Sequence, residues 1–122
     1  MRINKAKEIN LFKSKIIKIF DHQKKKFSIK EIYSVQMKGK QLRKWRQHMN
    51  CKKILFCING IFKVEFNKKN KIIKKIIKVN NFLEIPKKTI FRFESCSSSK
   101  NILIVLSDKS NNNLITKKNF IF

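Results

Sequence analysis

Ile54-Leu55-Phe56-Cys57-Ile58-Asn59-Gly60-Ile61-Phe62-Lys63-Val64-Glu65-Phe66 is the stretch on which the fold turns. Asn59-Gly60 is bounded on both sides by aliphatic, β-branched and aromatic residues. A type I′ turn needs positive φ at both central residues, and Asn-Gly reaches that conformation more readily than other pairs. The spacing therefore predicts a hairpin over 54–66. In its second half Phe62, Val64 and Phe66 share one face while Ile61, Lys63 and Glu65 share the other, the period-two alternation of a half-buried strand.

Working outward, similar short runs follow one another: Ile16 to Phe20, Ile29 to Met37, Phe82 to Ile85, Ile90 to Phe93 and Ile102 to Leu106. Asn67-Lys68-Lys69-Asn70, the loop opened by Pro86 and the serine-rich Cys96 to Lys100 separate them with turn chemistry. Short strands at this spacing mark a sandwich or barrel. Lys71 to Val79 is ambiguous, because Ile72, Ile73, Ile76 and Ile77 between lysines also fit an amphipathic helix. Nine residues make a marginal helix, and the turn before the run favours a strand. Residues 1–13 are polar and mixed, an N-terminal arm or helical lead-in. Residues 14–122 read as one all-β domain.

The chain has 122 residues, with 31 Lys plus Arg against 7 Asp plus Glu and a net charge of +24. This length supports one domain that folds without disulfides or a structural metal. Eleven Phe and many Ile argue against disorder despite the charge. Collagen, disulfide-scaffold, transmembrane and acidic-tail classes are excluded. Lys, Asn, Ile and Phe are common while Gly, Ala, Pro and Arg are scarce, as a gene rich in A/T codons would produce. The basic surface thus has two readings: codon drift, or an anionic partner such as nucleic acid, a nucleotide or an acidic membrane. Gly60, Pro86, Arg43, Arg46 and Arg92 stand out because that drift would erode them.

Cys51, Cys57 and Cys96 are odd in number and lack paired spacing, which fits idle thiols in a reducing compartment. His22 and His48 give zinc too little to build on. No apolar core of a signal peptide occurs near the start, so a cytoplasmic location is expected.

Phe27-Ser28-Ile29-Lys30, Ile32-Tyr33, Lys38-Gly39, Arg43 to His48 and Leu55 to Gly60 occur in an order and spacing that resemble the nucleotide-sugar 3,4-ketoisomerases, small cupins acting on dTDP-4-keto-6-deoxyglucose. Ile104 to Asp108 looks like the last core strand of that family, and Leu114-Ile115 with Asn119-Phe120 like its closing segment. The resemblance implies a cupin-type double-stranded β-helix, a jelly-roll barrel that is dimeric and holds its substrate inside. The family's Arg-Gly-x-His-x-His-Lys stretch corresponds to Arg43-Lys44-Trp45-Arg46-Gln47-His48-Met49. Its second His is kept as His48, and its first is replaced by Arg46. Tyr33 matches a family tyrosine on the preceding strand. Two further family patterns depart, at Leu11 to Ser14 and at Thr89-Ile90.

Moving a ketone from C4 to C3 requires a base for the proton on the adjacent carbon and stabilisation of an enediol oxyanion. On an extended strand Arg46 and His48 project from the same face. A fixed positive charge there favours neutral imidazole, which can accept a proton. The resemblance thus implies His48 as base, with Tyr33 and Arg46 as acid or oxyanion partners. Arg43 and Arg92 suit diphosphate oxygens, or are solvated charges. Trp45 is a core aromatic or a stacking platform. A cupin metal site is not expected, because Lys52 and Lys53 fall where an acidic ligand would stand and no later His follows. No cofactor is implied.

Three functions follow. The first is a 3,4-ketoisomerase-like cupin acting in deoxysugar and cell-surface polysaccharide biosynthesis, with a dTDP-sugar as partner and a homodimer as its form. The second is an inactive cupin that keeps dTDP-sugar binding or dimerisation. The third is a basic β-barrel that binds nucleic acid through charge and exposed aromatics. No membrane association is expected.

Overall fold

The runs of β-branched and aromatic residues become strands. The computed structural model describes residues 2–19, 27–109 and 114–117. Phe20, His22, Asn119 and Phe120 lie outside them. In chain order the strands are β1 (Asn4–Lys5), β2 (Lys7–Leu11), β3 (Ser14–Lys18), β4 (Glu31–Lys38), β5 (Gln41–Leu42), β6 (Trp45–His48) and β7 (Lys53–Asn59). They continue with β8 (Phe62–Lys68), β9 (Lys71–Ile77), β10 (Asn81–Ile85), β11 (Ile90–Ser95), β12 (Lys100–Ser107) and β13 (Leu114–Lys117). Among the described residues no helix is long and apolar enough to cross a membrane.

Two antiparallel sheets make the body. One has the order β1-β10-β7-β12-β4, and the other β13-β6-β11-β8-β9 with β5 also on β11. Neighbours in space are mostly distant in sequence, the mark of a jelly roll. The core between the sheets is asymmetric. The second sheet contributes the rings of Phe62, Phe66, Phe91 and Phe93, and the first contributes Leu55, Leu83, Ile85, Leu103 and Val105. Phe62 and Phe93 meet edge to face, with centroids 5.9 Å apart. Cys57 is wholly buried among them, and burial pushes its thiol up to about 11, so it packs as a hydrophobe.

The expected inward face of Phe62, Val64 and Phe66 is realised, each being 2% exposed or less. The expected hairpin over 54–66 is not. Strand β7 pairs with β10 and β12, and β8 pairs with β11 and β9, so Asn59-Gly60 is a corner that passes the chain from one sheet to the other. Gly60 alone of the pair has positive φ, at 79°, where a type I′ turn would need both. The side chain of Asn101 explains the corner: its Oδ1 accepts from the Ile61 N–H at 3.1 Å. The two-residue turn with both φ positive sits instead at Lys69-Asn70, φ 53° and 63°, closing a true hairpin between β8 and β9. Lys71–Ile77 is thus a strand.

Asn4 and Lys5 pair with Phe82 and Asn81 in the first sheet, and β2 pairs with β3 across Phe12-Lys13. The 13/14 boundary falls inside that hairpin, because Lys7–Leu11 finds its partner just beyond it.

Candidate functional site

Strand β6 carries the stretch Trp45-Arg46-Gln47-His48, and its alternation divides these residues between the two faces of the second sheet. Arg46 and His48 point inward. The His48 ring stacks on Phe91 with centroids 5.9 Å apart, and the Arg46 guanidinium lies 5.5 Å from the centroid of Phe93. Arg43, in the link that precedes β6, approaches the same Phe93 ring at 5.5 Å. Its backbone N–H is held by the Phe93 carbonyl at 3.0 Å. The far end of β6 is clamped by the loop after Pro86: the Lys88 N–H donates to the His48 carbonyl at 2.8 Å, and Gln47 Nε2 donates to the Lys88 carbonyl at 2.8 Å. The strand bearing the two candidate residues is thus fixed at both ends.

Across the interior, Tyr33 on β4 shares its parity with Val35 and Met37, which pack on the core. Its register partner on β12 is Val105, another core residue. Tyr33 reaches the electrostatic neighbourhood of Arg46. Burial first, and then Arg43, hold the Arg46 guanidinium down to about 10, while Tyr33 acts in the opposite direction. Arg46 Nε is buried with no hydrogen-bond partner among the described residues. An orphaned guanidinium donor beside a second arginine is an environment that an anionic or strongly polar oxygen would relieve.

Four of the residues singled out in the sequence, Tyr33, Arg43, Arg46 and His48, therefore face one interior. Arg92 and Trp45 do not join them. Arg92 lies on the outer face of the second sheet, its guanidinium 4.6 Å from the Trp45 ring and 3.4 Å from Glu65. Glu65 also meets Lys63 at 3.8 Å. A strand's two faces part neighbours in sequence, and Arg92 sits between the inward Phe91 and Phe93.

One inward residue entered the sequence reading only as a reason against a metal site. Lys53 begins β7 on the parity of Leu55 and Cys57, and is 2% exposed. Its Nζ donates to Tyr33 Oη at 3.2 Å. The signal was that parity, a lysine on the core face of a strand. Among the described residues no three His, Cys, Asp or Glu side chains cluster as a metal site would need.

No family model matches the chain, and no curated protein matches its sequence. Solved structures do match. The sugar 3,4-ketoisomerase QdtA from Thermoanaerobacterium thermosaccharolyticum, in complex with TDP, superposes with a TM-score of 0.82 at 18% identity, over 98% of this chain and 88% of that one. A 3,4-ketoisomerase from Helicobacter canadensis gives 0.81 at 21% identity, over 93% and 88%. The Drosophila melanogaster CENP-C cupin domain gives 0.59 at 19% identity, over 62% and 59%. Sheet order, inward alternation and these likenesses together identify the fold of the chain as a cupin-type double-stranded β-helix, the jelly-roll barrel that the 3,4-ketoisomerases share.

Proposed function

We propose that this cupin binds a TDP-linked keto sugar in its barrel and interconverts the 4-keto and 3-keto forms. The observation that carries the reading is the convergence of Arg46, His48, Arg43 and Tyr33 on one interior, from β4, β6 and the link before β6. The fold shared with a TDP-bound 3,4-ketoisomerase supports it.

In this reading His48 takes the proton from C3, and Arg46 with Tyr33 stabilises the charge that develops on the C4 oxygen. The electron pair of the broken C3–H bond forms the C3=C4 bond of an enediol. Return of the proton to C4, with transfer of the O3 hydroxyl proton to O4, leaves the ketone at C3. No atom is gained or lost. Arg43 and Arg46, two fixed cations against one aromatic ring, suit the diphosphate or the developing oxyanion. The replacement of the family's first imidazole by Arg46 leaves one base, which suffices if the same imidazole releases at C4 the proton it took from C3.

Incubation of the chain with TDP-4-keto-6-deoxyglucose, followed by proton NMR in deuterated water, tests the reading. The expected result is a 3-keto product that keeps at C4 a substantial share of the proton taken from C3, with formation of the product lost in His48→Ala. TDP should raise the melting temperature of both proteins by mass action. A thermal shift without turnover would select the inactive cupin that keeps its ligand. Absence of both would overturn the nucleotide-sugar reading altogether.

A further inference from the structure

Lys53 enters the barrel beside Leu55 and Cys57. Among the described residues no carboxylate pairs with this buried cation. Its Nζ lies 3.2 Å from Tyr33 Oη and 4.9 Å from the centroid of the Tyr33 ring, so the ammonium sits beside the hydroxyl rather than over the π face. Taking a lysine out of water without a counter-ion is unfavourable. A hydrophobic residue of the same length would fill the position at lower cost, which argues that the ammonium serves the site.

An ammonium carries three N–H donors and no acceptor. In this contact Tyr33 Oη must therefore be the acceptor, and the phenol's own proton points away from Lys53. Tyr33 lies on an edge strand and is 38% exposed, so its ring is packed less fully than the core side chains. The buried lysine adds a hydrogen bond that restrains the phenol. We propose that Lys53 is a positioning residue which fixes Tyr33 as a hydrogen-bond donor toward the bound sugar, a role that rests on the isomerase reading above. Lys53 acts on the reaction only through Tyr33.

A double-mutant cycle tests this, because residues acting as a unit are not additive. Lys53→Met removes the donor and keeps the length, Lys53→Gln restores an uncharged N–H, and Tyr33→Phe removes the hydroxyl. Tyr33 is the one tyrosine of the chain, so a 13C label at Cζ gives a single resonance. The expected result is that Lys53→Met moves this resonance and lowers kcat by about tenfold with KM nearly unchanged, as loss of orientation does. Lys53→Gln should recover part of the rate, and the double variant should be no slower than Tyr33→Phe alone. An unmoved resonance, or additive losses, would overturn the role. If the wild-type chain shows no turnover, the isomerase reading fails by itself. The cycle is then read on the Kd for TDP-4-keto-6-deoxyglucose, where non-additive losses support the positioning role and additive ones overturn it. A chain that does not bind the sugar overturns both.

Discussion

The side-chain amide of Asn101 fills the space that a Cβ on Gly60 would need. Asn101 is fully buried and ties three connections together. Its Oδ1 accepts from the N–H groups of Ile61 and Ser97, each at 3.1 Å, and its Nδ2 donates to the carbonyls of Met37 at 3.2 Å and Gly39 at 3.1 Å. Gly60→Ala meets both this amide and a φ of 79°, so a loss of about 2–4 kcal/mol is expected. Asn101→Ala strands several buried partners and should lose about 3 kcal/mol. The double variant should lose less than the sum, since the shorter side chain removes the amide's share of the clash and leaves only the Asn101 Cα, 2.9 Å away. Urea denaturation of the three proteins checks this, and strict additivity would mean that the two positions do not compete for space.

Arg46 should weaken the fold in which it is buried. Its folded pKa of about 10 lies below the ordinary arginine range, chiefly through burial, so the folded state binds the proton less tightly than the unfolded chain. By linkage the penalty is present in full at neutral pH and lifts as pH rises past about 10. Arg46→Met is therefore expected to gain about 1 kcal/mol at neutral pH, a figure discounted for the part of the guanidinium that solvent still screens. The same variant should lose most of the melting-temperature rise that TDP gives. Calorimetric scans with and without TDP read both effects.

Arg92 should behave in the opposite way. It meets Glu65, whose side chain is 8% exposed, on the outer face of the second sheet. Arg92→Met leaves that carboxylate with the longer contact to Lys63, and a loss of about 1–3 kcal/mol is expected. Glu65→Gln in the same background should recover part of it. The TDP-induced shift should stay within error, whereas Arg43→Met should reduce it. Equal effects of Arg43→Met and Arg92→Met on the TDP shift would contradict the division of the two arginines between faces.

Lys69 and Asn70 adopt positive φ, a conformation in which lysine is strained and asparagine merely tolerated. Replacing the pair with Asn-Gly should stabilise the β8–β9 hairpin by about 1 kcal/mol. Thermal unfolding of Lys69→Asn/Asn70→Gly measures this, and a lower melting temperature would contradict the turn geometry.

These particulars show where the sequence is a sufficient guide. The inward face of β8 follows from local alternation, which survives whatever the partner strands are, and the strand over Lys71–Ile77 follows from the turn before it and from a run too short for a stable helix. Asn59-Gly60 looked like a hairpin because turn chemistry is local. The choice between a hairpin and a corner is made by Asn101, far along the chain. At the site, Arg46 and His48 share a face because their spacing requires it. Trp45 and Arg92 part from them because adjacent residues on a strand cannot share one. Lys53 was noticed only as an obstacle to a metal ligand, because in a chain so rich in lysine nothing but its burial marks it as a residue of the interior.

Strand β6 has β11 on one side and β13 on the other, with Trp45 to His48 paired to Lys117 to Leu114. Both neighbours are synthesised after it, and β13 is the last of the described strands to emerge. During translation Arg46 and His48 therefore ride on a strand with an open edge, exposed to water and to other chains. The surroundings of Arg46 and His48 are assembled late, by long-range closure that is slow compared with local hairpin formation. Any half-made chain carries the residues of the site without its walls.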